Sequence, residues 1–380
     1  MAEFGCLYSE VLLTRNAWEK RKLGEVATIT MGQSPDSKNY TLNPQDHILV
    51  QGNADIKNGW VEPRVWTTQI TKIAKKGSVL LSVRAPVGEV SKTAFDVVLG
   101  RGVASVGQTD FLYQYLITLK INGFWLRYST GSTFDSINSA DIKDAIIFLP
   151  KKNEQDRIAK TLNCIDSLIA ATQHKIDALE QTKKALLQRL FDQSWRFKGY
   201  SDPWEKRKLG ELAEFINGRA YKQDELLASG KYPVLRVGNF YTNDNWYYSD
   251  LELPEKYYAE KGDLLYTWSA TFGPHIWIGP KVIYHYHIWK VALKNLFEKD
   301  FALQFFEADR VRLLNSTNGS TMIHVTKKDM ESKGILLPDI SEQRNIGEFL
   351  RKADDLIAAT QSRLSSLELL KKALLQALFI

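Results

Sequence analysis

The sequence predicts an α+β protein: two tandem α/β modules joined by two long antiparallel helices that form a coiled-coil spacer, an internal pseudo-two-fold duplication. Three observations predict it. Trp18-Glu-Lys-Arg-Lys-Leu-Gly-Glu25 recurs without change as Trp204-Glu-Lys-Arg-Lys-Leu-Gly-Glu211. Residues 149–191 align without gaps on residues 337–379, with about half the positions identical, the self-similarity expected of a duplicated unit. Between these anchors weaker echoes keep the same order: Ile48-Leu-Val-Gln-Gly-Asn53 against Val234-Leu-Arg-Val-Gly-Asn239, Lys76-Gly-Ser-Val-Leu-Leu81 against Lys261-Gly-Asp-Leu-Leu-Tyr266, and Gly131-Ser-Thr133 against Gly319-Ser-Thr321.

The chain therefore divides into an atypical segment 1–17, a first module 18–150, a first repeated helix 151–193, a second module 194–338 and a second repeated helix 339–380. The helical segments stayed alike while the modules drifted. That division suits two modules that dock on one framework and read different things.

Within the first module, Gly77-Ser-Val-Leu-Leu-Ser-Val-Arg84 and Asp144-Ala-Ile-Ile-Phe-Leu-Pro150 are short, apolar and bounded by turn residues, which predicts strands. The second answers with Gly262-Asp-Leu-Leu-Tyr-Thr-Trp268 and Gly334-Ile-Leu-Leu-Pro338. Phe111 to Leu119 and Phe301 to Phe306 read as short helices. In the repeated helices Leu162, Ile165, Ile169, Thr172, Ile176, Leu179, Lys183, Leu186 and Leu190 alternate at spacings of three and four, one seam on a helix. Leu350, Ala353, Ile357, Thr360, Leu364, Leu367, Lys371, Leu374 and Leu378 repeat that register. At roughly 30 residues and 1.5 Å per residue each helix spans about 45 Å. Paired antiparallel, the helices would set the modules at opposite ends, about one DNA turn (roughly 34–36 Å) or slightly more apart.

Composition narrows the function. The 380 residues are 44% hydrophobic and 25% charged, ample for two cored domains. Net charge is +6, with 50 Lys and Arg against 44 Asp and Glu, a balance that favours an anionic partner. Two cysteines, Cys6 and Cys164, cannot build a disulfide framework or a multi-cysteine zinc site. No apolar run approaches a membrane span, and Glu3 and Glu10 stand where a signal peptide wants a basic head. The expectation is a cytoplasmic protein without membrane contact.

The loops between predicted elements carry groups suited to base edges and phosphates. In the first module these are Gln33, Ser34, Lys38 and Asn39; Gln51, Asn53 and Lys57; Arg84; Arg101; Ser132 and Thr133. In the second they are Arg219, Tyr221 and Lys222; Arg236, Asn239, Tyr241 and Asn243; Trp268 and Thr271; Ser320, Thr321 and His324. Arg matches guanine O6/N7 and Asn or Gln matches adenine N6/N7 as bidentate pairs. Any one of them is equally a solvated loop residue; only the set carries weight.

Catalytic signatures are missing. The sequence has no Gly-x4-Gly-Lys-Ser/Thr loop, no His-Glu-x-x-His and no Gly-x-Ser-x-Gly elbow. Asn43-Pro44 and Asp202-Pro-Trp204 lack the second proline of the amino-methyltransferase tetrapeptide and read as turns. His275, His285 and His287 have no carboxylate or Cys at ligand spacing, and Tyr284-His-Tyr-His287 alternates as a strand does, so packed or DNA-facing histidines are favoured over a metal site.

Taken together, the repeated Trp-Glu-Lys-Arg-Lys-Leu-Gly-Glu, Ser82-Val-Arg-Ala-Pro-Val-Gly88, the two Gly-Ser-Thr triplets, and Leu-Pro followed by Glu154-Gln155 or Glu342-Gln343 resemble the specificity subunits of type I restriction-modification systems, over nearly the whole chain. The resemblance implies two target-recognition domains on an antiparallel coiled coil, each reading half of a split, asymmetric site in double-stranded DNA. It implies no cofactor in this chain. Two methyltransferase subunits would bind S-adenosylmethionine and methylate adenine, and restriction subunits would use ATP and magnesium. Lys151, Lys152, Arg157 and Lys160 are candidate partner contacts. The sequence departs from the pattern where Ser269-Ala-Thr-Phe-Gly273 stands in place of Arg84-Ala-Pro-Val-Gly88, so a DNA role for Arg84 has no counterpart in the second module. Two other readings stay open: a free-standing nuclease with duplicated DNA-binding lobes, and a coiled-coil scaffold without a nucleic-acid role.

Overall fold

The computed structural model describes residues 18–128, 136–241, 243–269, 271–316 and 325–379. It resolves into two compact units, Met1–Gln173 with Ser362–Ile380, and His174–Gln361. Each unit therefore holds one module, half of the first long helix and half of the second.

In the first unit, strand Val79–Ser82 is buried along its whole length and lies between Val90–Lys92 and Val103–Val106 in a six-stranded sheet. A second, five-stranded sheet contains His47–Val50 and Val97–Leu99 paired in parallel. Strand Glu19–Lys22 pairs with Ile146–Leu149 in a separate antiparallel ribbon. The helix Asp110–Ile121, capped by the Thr109 hydroxyl, brings Phe111, Tyr115 and Leu116 into a core that also holds Leu81, Val106, Leu162 and Leu375. The second unit repeats the plan with two four-stranded sheets. Leu264–Thr267 sits centrally in one; Tyr232–Leu235 and Val282–Tyr284 pair in parallel in the other. Its ribbon is Glu205–Lys208 with Gly334–Leu337, and its core helix is Lys299–Ser316.

The predicted strands are present, shortened by their turn residues: Gly77 and Gly262 adopt φ of +84° and +97°, which ends the extended run in front of each central strand. The core helices run past the predicted short segments, the second to 18 residues. The long helices are Lys152–Phe191 and Ile340–Phe379, 40 residues each. They exceed the predicted 30 because their first turns, ahead of the seam, are already helical.

Those first turns explain the Leu-Pro and Glu-Gln motifs. Gln155 donates to the Pro150 carbonyl at 2.9 Å, and Gln343 donates to that of Pro338 at 2.9 Å, closing each ribbon onto its helix. The indole of Trp18 donates to Glu154 and that of Trp204 to Glu342, both at 3.1 Å. In the first unit Trp18 also meets Phe379, at 6.1 Å, while Asp166 pairs with Lys371 at 2.5 Å. Positions rise along one helix as they fall along the other, so the helices run antiparallel there.

The seam carries Thr172 and Thr360, each buried and bonded to the carbonyl four residues back. Its lysines are accounted for: Lys371 reaches Asp166, and Lys183 reaches Asp354 at 2.5 Å. Each of those aspartates also accepts from a buried glutamine of the core helix, Gln114 or Gln304, at 2.8 Å. Polar residues at seam positions cost stability but fix register. In the last turns burial passes from Leu186 to Leu187 and from Leu374 to Leu375, the drift of a 3.6-residue turn against a 3.5-residue repeat.

Candidate nucleic-acid interface

Each unit has a backbone platform where its own two sheets meet. In the first, Gln33 N–H donates to the Leu99 carbonyl, Gly32 to Val103, Gly100 to Val50, Val83 to Gly102 and Val103 to Gly100. In the second, Arg219 donates to Tyr284, Gly218 to Ile288, His285 to Leu235, Trp268 to His287 and Ile288 to His285. The five bonds correspond one to one. They equate Gln33 with Arg219, Val50 with Leu235, Gln51 with Arg236, and the crossing turn Gly100-Arg101-Gly102 with His285-Tyr286-His287.

This corrects two readings. The echo between residues 48–53 and 234–239 is out of register by one at the strand: Val50, and not Leu49, matches Leu235, and the second module has one extra residue before its Gly-Asn. The role of Asn239 is accordingly taken by Asp55, since Gln51 N–H donates to Asp55 at 2.8 Å as Arg236 N–H donates to Asn239 at 3.0 Å. Second, Tyr284-His-Tyr-His287 is no continuous strand. Val282–Tyr284 ends, residues 285–287 turn, and Ile288–Leu293 begins the other sheet.

Glycines let these backbones approach. A Cβ on Gly32 would lie 2.1 Å from the Gly100 carbonyl oxygen, and one on Gly218 would lie 2.4 Å from those of His285 and Tyr284.

In the first unit the platform floors a cleft of about 510 Å³, and five of the predicted residues line it: Ser34, Gln51, Asn53, Arg84 and Arg101. Sequence reasoning missed Ser37, Tyr40 and Ser82, which share the lining. The Ser34 hydroxyl accepts from the Arg101 backbone at 3.1 Å, which holds the turn while the exposed guanidinium projects. Gln33 is exposed and Asn39 donates to Gln69 at 2.8 Å. Lys38 pairs with Asp36, and Lys57 pairs with Glu62 across its own hairpin, both at 3.2 Å; neither lines the cleft. Ser132, Thr133, Ser320, Thr321 and His324 lie outside the described residues.

The second unit fills the same place with rings. His285, Tyr286 and His287 pack on one another, and Trp268 stacks on Trp289 at 5.9 Å while its indole donates to the Tyr286 carbonyl at 2.9 Å. Arg219 is clamped by two bonds to Glu225, at 3.1 and 2.7 Å, above the Tyr221 ring. Lys222 N–H caps the same carboxylate at 2.9 Å. Arg236 lies 4.3 Å over Tyr247. Asn239 staples its loop by donating to the Asn243 and Asn245 carbonyls, and the Asn243 side chain accepts from Asn245. The Tyr241 hydroxyl meets His275 Nε2 at 3.2 Å, and Thr271 offers its carbonyl to Thr267.

Burial lowers the pKa of His275 to about 4. Burial, then the neighbouring His287 and Arg236, lowers that of His285 to about 4. The neutral imidazole of His285 therefore packs on Tyr286, the residue that stands where the first unit carries the Arg101 cation. No group of three His, Cys, Asp or Glu able to hold a metal occurs among the described residues. Nor, among them, is a helix long and apolar enough to cross a membrane.

The chain thus carries two duplicated platforms, one open as a cleft and one filled with rings. The description "Type I restriction modification DNA specificity domain" matches residues 16–181 and again 201–369. The chain belongs to this type I restriction-modification specificity family. Its two specificity domains stand in tandem. Relatives include the putative MjaX specificity subunit of Methanocaldococcus jannaschii, 32% identical over 189 residues, which cover 48% of this chain and 44% of that one. The MjaIX specificity subunit of the same organism is 23% identical over 401 residues, covering 95% and 92%. Among solved structures, a type I specificity subunit from M. genitalium superposes with a TM-score of 0.68 at 18% identity over 97% of this chain and 98% of that one. The shared specificity fold is thus a duplicated one, and the relatives are specificity subunits. The nuclease reading finds no support among them.

Proposed function

We propose that the chain is the DNA-reading subunit of a type I restriction-modification complex, with target-recognition domains at 18–150 and 194–338 carried on the repeated helices 151–193 and 339–380. Each domain reads one half of a bipartite, asymmetric site in double-stranded DNA. The observation that carries this reading is the pair of platforms with equivalent backbone bonds and unlike linings: one scaffold presents two different chemistries, as two unlike half-sites require. In the first domain Arg101, Arg84, Gln51 and Asn53 offer the donors and acceptors that bidentate base pairing uses. In the second, Arg236 and the His-Tyr-His turn take that place.

Methylation and cleavage fall to partners: two methyltransferase subunits using S-adenosylmethionine, and restriction or translocase subunits using ATP and magnesium, in the cytoplasm. The test is to co-express this chain with a type I methyltransferase subunit and map methylated adenines genome-wide. A split motif of two short unlike halves is expected, and replacing residues 18–150 by another such block should change one half alone. Contiguous methylation, or a change in both halves on replacement, would sink the proposal.

A further inference from the structure

The octapeptide that opens each module separates into two groups once its surroundings are known. Four positions are fixed by the fold. Trp18 and Trp204 bond to Glu154 and Glu342; Leu23 and Leu209 are fully buried. A Cβ on Gly24 would lie 2.9 Å from Lys143, and one on Gly210 would lie 3.1 Å from Glu331. Glu25 and Glu211 accept from the backbones of Lys22 and Lys208 at 3.4 Å.

The other four, Glu-Lys-Arg-Lys, are exposed in both modules. Inside the chain Lys22 meets Asp144 at 2.8 Å, a largely exposed pair in the first module. Their ribbon partners differ, Ile-Ile-Phe-Leu in one and Gly-Ile-Leu-Leu in the other. The Glu19–Arg21 and Glu205–Arg207 pairs are surface pairs of little energetic weight. Elsewhere the modules have diverged across their surfaces, so an exposed tetrapeptide kept unchanged points to a constraint from outside the chain that acts alike on both. Strand alternation puts Lys20 and Lys22 on one face, and the residue opposite Lys20 is Phe148, 47% exposed. Opposite Lys206 stands Leu336, 46% exposed. Each module thus presents a large, half-exposed apolar side chain beside lysines at the same place in its ribbon.

We infer that this face is a docking surface for a partner protein bound in two copies, one per module, whose own surface offers an apolar contact rimmed by carboxylates. On the reading above, on which this inference rests, that partner is the methyltransferase subunit. A surface repeated twice calls for one partner used twice. Duplex DNA fits it less well: phosphates gain nothing from Phe148 or Leu336, and Glu19 and Glu205, each 70% exposed in the same run, repel them.

The test co-expresses the methyltransferase subunit with the full chain in four forms: unaltered, Lys20→Glu with Phe148→Ser, Lys206→Glu with Leu336→Ser, and all four substitutions together. Native mass spectrometry counts the methyltransferase copies per chain, and melting curves check the fold. Two, one, one and no copies are expected, from a loss of at least about tenfold in affinity per altered face. The milder Lys20→Gln and Lys206→Gln should weaken binding in the same order, and Lys→Arg should restore it. A salt titration of duplex DNA against the isolated chain should keep its slope in every variant. Two copies retained throughout would overturn the inference alone, and a reduced salt slope would reassign the face to phosphate contact. If the unaltered chain recruits no methyltransferase, the proposed function falls and this inference with it.

Discussion

In the first unit the turn that crosses between the sheets is Gly100-Arg101-Gly102, and in the second it is His285-Tyr286-His287, yet the five hydrogen bonds around it correspond. Main-chain bonds are indifferent to side-chain identity, so the platform tolerates replacement of everything that projects from it. The two linings differ in kind: the first is open and polar with exposed cations, the second is packed with aromatic and imidazole rings and an arginine already held by Glu225. Shape is held constant by backbone and glycine, while recognition chemistry varies on top.

The largest expected effect probes the shared part. Gly32→Ala and Gly218→Ala each drive a methyl group into carbonyl oxygens, and overpacking of this kind should cost about 3 kcal/mol or more in either unit. Denaturant unfolding of both variants measures it; a loss confined to one unit would break the equivalence. Next come the matched seam networks. Lys371→Ala strands Asp166 and Lys183→Ala strands Asp354, and since these pairs are partly solvated each should cost about 1–3 kcal/mol. Unequal losses would show that the two networks, alike in geometry, differ in environment.

A smaller effect, invisible to stability, should fall on the linings. Arg101→Ala should relax one half of the methylated motif by about 1–3 kcal/mol of discrimination and leave the other untouched, with Tyr286→Ala doing the converse. Methylome sequencing of each variant decides, and loss in both halves would contradict independent linings. The smallest effect is set by protons. His275 and His285 titrate near pH 4 when folded, against about 6.5 when unfolded. Between those values the unfolded chain takes up protons that the folded chain refuses, so their contribution is complete above about pH 6.5 and drains away as pH falls toward 4. Substituting His275→Phe, which keeps a ring stacked on Phe240, should lessen the Tm loss between pH 7 and pH 5 by about 3 °C; an unchanged pH slope would show that His275 takes up its proton alike in the folded and unfolded chain.

Much of the architecture was legible because duplication prints it twice. The seams, the strands that end in each Leu-Pro and the Leu-Pro to Glu-Gln junctions follow from local periodicity and near-identical copies, whereas the pairing of those strands with Glu19–Lys22 and Glu205–Lys208 does not. The first unit's cleft was half legible. Ser34, Gln51, Asn53, Arg84 and Arg101 come from four separate loops, and their convergence depends on sheet pairing that no local pattern encodes. Arg219 and Asn239 carried the same polar signal as Arg101, but a glutamate six residues on and carbonyls in the same loop hold them. One available signal was overlooked: Val98-Leu99 and Val103 against Ile283-Tyr284 and Ile288 share the spacing that would have aligned the crossing turns.

The sequence by itself determined the duplication, the alternation of helix and strand and the two seams, because these rest on residue order and on periods of 3.5 and 2 that act over a few neighbours. Tertiary structure decided which polar side chains remain available. That choice depends on partners distant in sequence, on Asp166 waiting for Lys371 and Glu154 for Trp18, and on burial that turns a titratable histidine into a neutral ring. Electrostatics and burial are properties of the assembled surroundings, so a residue's type fixes what it can do and only its neighbours fix what it does.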